Sequence, residues 1–257
     1  MRTRNIPVRE VYVWQLPVRI FHWVNALCIV ILCITGYVIG NPPAIMQSVP
    51  PSDSYWFGIV RTIHFITAYV FIVNFLFRVY WAFVGNRFAR WCNYIPLKAS
   101  QRRGIIETIK VDVLLSTDKP IYDIGHNSLA AFTYFFVFLA FLVQLFTGFA
   151  MLSEESNSPI LHLFKWVIPT LNGFAVVRDV HHWAMWFFIL FAIIHIYLVF
   201  YHDYIERNGI ASSIIGGWKF IQVPLVEQYR KVLAKENELS ALKREYREKR
   251  KKERKHS

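Results

Sequence analysis

Four long apolar blocks, separated by polar segments, set the pattern of the chain. They cover about residues 20–40, 59–84, 129–152 and 181–201. A helix needs about 20 apolar residues to cross a hydrocarbon core of roughly 30 Å, and each block is long enough. All four should be helical, because a backbone exposed to lipid must satisfy its own hydrogen bonds. The pattern therefore predicts an all-α membrane protein, built as a four-transmembrane-helix bundle.

Positive charges lie mainly in alternate connecting segments. Residues 1–19 carry four Lys or Arg, loop 85–128 carries seven and the tail 202–257 carries fourteen. The other two loops, 41–58 and 153–180, carry none and two. Because Lys and Arg accumulate in cytoplasmic loops, both termini are predicted to be cytoplasmic. The expected regions are a cytoplasmic N-terminal segment (1–19), a transmembrane domain with cytoplasmic loop 85–128 (20–201) and a basic, charged cytoplasmic tail (202–257).

Composition supports a membrane protein and excludes several other classes. The 257 residues are 55% hydrophobic, 17% aromatic and only 18% charged, whereas soluble domains are about 25% charged. The net charge of +12 is therefore attributed to topology and contact with anionic lipid, not to nucleic-acid binding. Three cysteines are too few for a disulfide framework, and without a C-x-x-C-H motif a covalently attached c-type haem is excluded. The first block lacks a small-residue cleavage site, so we expect a retained span rather than a signal peptide.

Four of the nine histidines lie at two matched depths of the predicted membrane. His22 opens the first block at its cytoplasmic end, and His195 lies near the cytoplasmic end of the fourth. His64 lies near the outer end of the second block, and His181 opens the fourth block on the outer side. Ionisable groups inside a membrane are expensive, which makes them functional candidates.

Helix geometry relates these histidines to one another. His181 and His195 are 14 residues apart, which places them within about 40° of one helix face and roughly 21 Å apart along the axis. One helix can thus direct His181 toward His64 and His195 toward His22. Because bis-histidine ligation places an imidazole on each side of a haem, the arrangement indicates two haem sites.

The residues alone leave alternatives open. A histidine at a helix end is commonly an interfacial residue, and His182 adjoins His181. His202 shares a face with His195, although its position beside Asp203 favours solvation. His126 lies in the inner loop, where it is either an ordinary loop residue or part of a docking site for a redox partner or proton carrier.

Smaller features are also open to two interpretations. Thr35-Gly36 near the end of the first block is echoed by Thr147-Gly148 near the end of the third. Two similar helical hairpins would produce this echo, although so short a match can arise by chance. Either glycine allows close approach of a porphyrin or of a neighbouring helix. Arg78 can pair with a haem propionate or extend to the interface.

Seven short segments carry family motifs. They are residues 17–25 (PVRIFHWVN), 35–40 (TGYVIG), 61–65 (RTIHF), 78–87 (RVYWAFVGNR), 123–127 (DIGHN), 147–150 (TGFA) and 195–197 (HIY). With them the chain resembles the b-type cytochrome subunit of membrane-bound nickel–iron hydrogenases, a dihaem cytochrome b family related to the formate dehydrogenase cytochrome subunit. Where that family usually reads W-H-x-L-G-M-W, this chain reads HHWAMW from His181, which leaves His181 and His182 as candidates for the outer ligand.

The resemblance implies two non-covalently bound haems b. His22 and His195 would bind the iron of the inner haem, and His64 and His181 the iron of the outer haem. It also implies a bacterial cytoplasmic (inner) membrane protein that anchors the small and large subunits of a periplasmic nickel–iron hydrogenase. Such a subunit does not oxidise H2 alone. It passes electrons from H2 to quinone, as part of a hydrogen:quinone oxidoreductase complex.

Two alternatives to this interpretation remain at the level of sequence. The first is the equivalent cytochrome b subunit of another periplasmic dehydrogenase, such as formate dehydrogenase. The more distant one is a haem-free membrane anchor or transporter, in which the histidines line a proton or metal pathway.

Overall fold

A computed structural model describes residues 7–44, 55–91, 94, 99–112, 124, 128–228, 230–231 and 234. The elements of this part of the chain are, in order, β1 (Val8–Tyr12), α1 (Leu16–Gly40), α2 (Trp56–Val84), α3 (Ala99–Asp112), α4 (Ser128–Glu155), α5 (Pro159–His162), α6 (Val167–Thr170), α7 (Phe174–Glu206), α8 (Ile210–Gly216) and β2 (Trp218–Gln222).

The helices α1, α2, α4 and α7 are long and apolar enough to cross a membrane, which confirms the predicted fold class. Helix α7 differs most from its predicted span of 181–201. It begins at Phe174 and ends at Glu206, a length of 33 residues. At 1.5 Å per residue this helix is about 50 Å long and extends beyond a hydrocarbon core at its ends.

The four long helices form two hairpins that share a central aromatic layer. Helix α1 packs mainly on α2 and α4 mainly on α7, and α1 also contacts α7. Cys28, Phe71, Phe141 and Phe188, one from each long helix, form a buried cluster at mid-height. Phe75 stacks on Phe141 with ring centroids 3.8 Å apart. These five residues, which we call the central layer, join the hairpins into one bundle.

The outside of the bundle is apolar. Leu27, Ile66 and Leu190 are each about 60% exposed, at 63%, 60% and 58%. Such continuous apolar exposure is unfavourable in water but is expected for helices that face lipid chains. The exposed faces therefore agree with the four membrane spans.

A two-stranded antiparallel sheet, which the sequence analysis does not predict, closes one end of the bundle. Strand β1 pairs with β2 so that Val8 lies opposite Gln222 and Tyr12 opposite Trp218. Just beyond β1, the amides of Val13 and Trp14 donate to the carbonyl of Gly217 at 2.9 and 3.1 Å. Gly217 has φ +91° and a Cβ there would lie 2.8 Å from the Trp14 carbonyl, so the position requires glycine.

Polar side chains fasten this sheet to the end of α2. Gln15 Oε1 accepts hydrogen bonds from Trp81 Nε1 at 3.1 Å and from the Asn86 amide at 2.8 Å. Asn86 Nδ2 donates to the Val13 carbonyl at 2.9 Å. The segments before α1 and after α7 consequently meet at one end of the bundle, as four consecutive spans require. The cytoplasmic assignment of that end continues to rest on its positive charge.

The connecting regions are described only in part. Helix α3 lies in the segment between α2 and α4, and its Thr108 is buried. Of the DIGHN motif only Ile124 is described, packed in the cluster beneath the sheet. His126 and nearly all of the tail after residue 228 are outside the described residues.

Candidate functional site

Two histidines from different hairpins face each other in the outer half of the bundle. His64 is carried by α2 and His181 by α7. Their ring centroids are 6.5 Å apart. The structure thus brings together the two residues proposed at the outer level.

A second pair lies in the inner half. His22 of α1 and His195 of α7 have ring centroids 6.3 Å apart. The ring of Phe191 stacks on His195 with centroids 5.5 Å apart. Trp23 packs edge-on against His22 at 5.3 Å. All four sequence-predicted site residues therefore lie in pairs, and α7 contributes one member to each.

The separation within each pair suits a metal held between two imidazoles. Ring centroids on opposite sides of one metal are roughly 6 Å apart, because a metal–nitrogen bond is about 2 Å long and each nitrogen lies about 1.1 Å from its ring centre. Within the described residues, no group of three or more His, Cys, Asp or Glu side chains could hold a metal ion. Each pair thus offers two ligands, and a haem iron needs only two from the protein.

Each histidine of the outer pair has a threonine hydroxyl within hydrogen-bond distance of its ring. Thr35 Oγ1 lies 2.8 Å from His64 Nδ1 and donates to the Ile31 carbonyl at 2.7 Å. A hydroxyl has one proton, so its oxygen accepts from an Nδ1–H while its proton goes to the backbone. His64 Nε2 then carries the lone pair that a metal requires.

The second hairpin repeats this arrangement. Thr147 Oγ1 lies 2.9 Å from His181 Nδ1 and donates to the Val143 carbonyl at 2.6 Å. Gln144, one turn away, donates from Nε2 to the His181 carbonyl at 3.1 Å. The backbone and the ring of His181 are thus both held by α4.

Glycines next to these threonines make room for the two rings. A Cβ on Gly36 would lie 3.3 Å from His64 Cε1, and a Cβ on Gly148 would lie 3.1 Å from His181 Cε1. Both distances are shorter than ordinary van der Waals contact. The Thr-Gly echo in the sequence therefore marks the same structural element in both hairpins, a hydroxyl that holds an imidazole and a glycine that admits it.

The inner pair is built differently. His22 Nδ1 is buried and has no hydrogen-bond partner among the described residues. Nearby, Asn74 Nδ2 donates to the Phe21 carbonyl at 3.0 Å, which joins α2 to α1 one residue before His22. The two levels of the bundle thus hold their histidines with different polar contacts.

The remaining described histidines have other partners. The ring of His182 packs against Gly40, so closely that a side chain at Gly40 would overlap it. His202 Nδ1 lies 3.2 Å from Glu206 Oε1, one turn further along α7. His162 Nε2 lies 2.8 Å from the Ser156 carbonyl. Of the two adjacent candidates at the outer level, only His181 faces His64.

Arginines near the ends of α2 differ in their surroundings. Arg61, at the outer end, forms an ion pair with Glu155 of α4, and both side chains are partly exposed. Arg78 does not extend to the interface, since it is only 5% exposed. Its guanidinium lies over the rings of Tyr94 and Tyr134, at 5.2 and 5.4 Å. It therefore belongs to the packed interior of the inner half.

Comparison with known proteins agrees with this geometry. The family model described as prokaryotic cytochrome b561 matches residues 13–217, which include all four paired histidines. The chain belongs to the prokaryotic cytochrome b561 family. Membership in this cytochrome b561 family implies haem b as the cofactor, and it makes the chain a membrane protein. The paired imidazoles fit such a haem.

Curated relatives of this cytochrome b561 family member carry a more specific name. A protein of Cupriavidus necator is 37% identical over 82% of this chain and 88% of its own length. One of Bradyrhizobium diazoefficiens is 39% identical over 80% and 85%. Both are named "Probable Ni/Fe-hydrogenase B-type cytochrome subunit". A protein of Escherichia coli K12, "Probable Ni/Fe-hydrogenase 1 B-type cytochrome subunit", is 35% identical over 85% and 94%. These comparisons confirm the family resemblance drawn from the sequence motifs.

The space beside the outer histidines gives a first testable prediction. Gly148→Val and Gly36→Val should each reduce haem content, because the added side chain pushes the facing imidazole away from its partner, at a cost of about 1–3 kcal/mol for overpacking. Haem per chain of the purified protein is the measurement. Gly58→Val in α2 is the control, since a Cβ there meets no atom within 4 Å. Equal haem content in all three variants would contradict the prediction.

Proposed function

We propose that this chain is a dihaem b cytochrome that anchors a periplasmic nickel–iron hydrogenase and carries electrons from H2 oxidation across the membrane to quinone. The observation that carries the proposal is the two histidine pairs, with centroids 6.5 and 6.3 Å apart, in one four-helix bundle. Relatives named as hydrogenase cytochrome subunits support the choice of partner.

Each histidine has a defined task in this proposal. His64 and His181 bind the iron of the outer haem, and His22 and His195 bind that of the inner haem. A bound haem supplies a one-electron carrier. The paired imidazoles would supply the two ligands that a haem iron takes from the protein, which would leave no position open to an external ligand. The bundle thereby favours electron transfer over chemistry at the metal.

The central layer separates the two levels. Phe71 follows His64 by seven residues, and Phe188 lies seven residues from both His181 and His195. Both phenylalanines are buried. A buried aromatic layer at this position would keep water from linking the two levels, so that electrons could cross the bundle without a continuous path for protons. The levels are roughly 21 Å apart along α7, from 14 residues at 1.5 Å each.

The charge distribution supports the direction of transfer. The basic segments support a cytoplasmic position for the sheet end of the bundle. The His64–His181 level then faces the periplasm, where the small and large hydrogenase subunits would dock. Quinone would be reduced nearer the cytoplasmic side. An electron that moves inward moves against the membrane potential. This movement costs about 2.3 kcal/mol per charge per 100 mV for the full span.

A single preparation tests the proposal. The chain is expressed with its natural partners and purified by a tag on the chain, and haem is counted in a reduced-minus-oxidised spectrum. We expect two haems b per chain, a co-purifying nickel–iron hydrogenase and reduction of both haems by H2. Reduction by formate instead of H2 would favour the formate dehydrogenase alternative. Absence of haem under adequate haem supply would overturn the cytochrome function in favour of an anchor or transporter.

A further inference from the structure

The outer and inner histidine pairs differ in the hydrogen bonds that their Nδ1 atoms make. Both outer rings have a threonine oxygen within hydrogen-bond distance of Nδ1, at 2.8 Å for His64 and 2.9 Å for His181. At the inner level, the buried Nδ1 of His22 has no partner in the described part of the chain. Helix α7 carries one histidine of each pair. The difference between the pairs therefore comes from the residues that contact the rings and not from the helix that carries them.

A hydrogen bond from Nδ1–H changes what an imidazole does to a metal. Donation to an acceptor fixes the ring orientation and raises the basicity of Nε2. A more basic ligand stabilises ferric over ferrous iron and so lowers the reduction potential of a haem. Two such bonds act on the outer level from opposite sides.

The acceptor strength of each threonine is set by its own helix. Thr35 and Thr147 donate their single protons to carbonyls one turn earlier, at 2.7 and 2.6 Å. Their oxygens are therefore left to accept, and donation to a carbonyl makes a hydroxyl oxygen a stronger acceptor by polarisation. The adjacent glycines bring the imidazoles within reach of these oxygens.

We propose that Thr35 and Thr147 are positioning residues that lower the potential of the outer haem below that of the inner haem. An electron then leaves ferrous outer haem and reduces ferric inner haem in a downhill step, with no proton transferred between them. This step offsets part of the cost of moving charge against the membrane potential. The inference rests on the proposed function, because it requires a haem at each level.

The experiment measures both haem potentials in the purified complex. Thr35→Val and Thr147→Val remove the hydroxyl but keep the branched shape, and Thr35→Ser and Thr147→Ser keep the hydroxyl. The matched control is Thr133→Val, since Thr133 in α4 also donates to a carbonyl one turn earlier, Leu129 at 2.9 Å, and has no histidine partner among the residues that the structure describes. Optical redox titration gives the potentials, and electron paramagnetic resonance of the ferric haems reports ligand geometry.

Titration of the wild type should give two potentials, the lower one belonging to the outer haem. We expect each valine variant to raise that lower potential. The ratio of reduced to oxidised outer haem at a fixed potential should increase about three- to tenfold, and tenfold corresponds to about 59 mV for one electron. The higher potential should not move, the serine variants should return the wild-type value, and only the outer ferric signal should change.

Each other outcome bears on a different claim. Loss of the outer haem in the valine variants, with retention in the serine variants and in Thr133→Val, would support the hydroxyls as the groups that hold the ligands. Unchanged potentials, a shift of the higher potential, or an equal shift in Thr133→Val would overturn the inference. A wild-type complex without two haems would instead refute the proposed function, which the haem count reveals before any variant is compared.

Discussion

Replacing His181 with alanine is expected to remove one of two haems, whereas replacing the adjacent His182 should leave both. His181 faces His64 at 6.5 Å between ring centroids and is held by Thr147. His182 instead packs against Gly40. Without His181, only one histidine of the outer pair would remain to bind the haem iron. The outer haem should therefore be lost, and haem per chain should fall by about half. His64→Ala should have the same effect as His181→Ala, because the two residues serve one level.

The measurement is haem per chain, together with the spectrum of the haem that remains. His22→Ala should also retain one haem, but with the spectrum and potential of the outer one. The outer and inner variants should therefore give complementary spectra that add up to the wild type. Two haems in His181→Ala with one in His182→Ala would reverse the ligand assignment. Undiminished haem in both His64→Ala and His22→Ala would refute bis-histidine binding altogether.

The spans could be predicted from sequence because membrane helices have a strong local signal. Apolar blocks of about 20 residues locate all four long helices. The difference between the predicted span and the start of α7 has a simple cause. Its first turns contain Arg178 and Asp179, which end the apolar block although the backbone remains helical from Phe174. Hydropathy locates the segment that lies in the hydrocarbon core, whereas the helix itself continues into the polar region outside that core.

The sheet illustrates what local patterns cannot give. Strands β1 and β2 are five residues each and about 200 residues apart in the chain. Neither strand alternates regularly between apolar and polar residues, since Arg9 adjoins Glu10 in β1 and Phe220 adjoins Ile221 in β2. Their pairing depends on the bundle, which brings the two segments to one end. Such long-range partners are specified by tertiary structure rather than by propensity.

The histidine pairs themselves could be predicted, because a 14-residue spacing puts His181 and His195 on one helix face. Their supporting contacts could not. The Thr-Gly echo at residues 35–36 and 147–148 is the available signal, but so short a match can arise by chance. Only the distances from Thr35 to His64 and from Thr147 to His181 give the repeat a meaning. The burial of Arg78 was even harder to predict, because it depends on the rings of Phe21, Tyr94 and Tyr134, which come from three other parts of the chain.

Arg78 lies at the centre of an aromatic cluster in the inner half of the bundle. Its guanidinium is 5.6 Å from the ring centroid of Phe21, 5.2 Å from that of Tyr94 and 5.4 Å from that of Tyr134. Cation–π contacts are worth about 0.5–2 kcal/mol each, more when they are desolvated. The cluster joins α1, α2 and α4, so its loss should be felt by the whole bundle.

Arg78→Met is therefore expected to lower the stability of the bundle by about 2–4 kcal/mol, because it removes three buried ring contacts of the guanidinium. For a chain of this size 1 kcal/mol shifts Tm by about 2–4 °C, so the expected loss is of order 10 °C. Arg78→Lys should recover little, because a compact, strongly hydrated ammonium does not stack as a planar guanidinium does. Thermal unfolding of the detergent-solubilised protein, with haem content recorded in parallel, provides the measurement.

Arg61→Met is the matched control in the same helix. Arg61 pairs with Glu155 at the outer end, where both side chains are partly exposed, and an exposed ion pair contributes at most about 1 kcal/mol. Its Tm should therefore stay within a few degrees of the wild type. If Arg78→Met were no less stable than Arg61→Met, the aromatic cluster would not be a source of stability. If Arg78→Met kept its Tm but lost the inner haem alone, the buried cation would instead act on the cofactor, as a propionate contact would require.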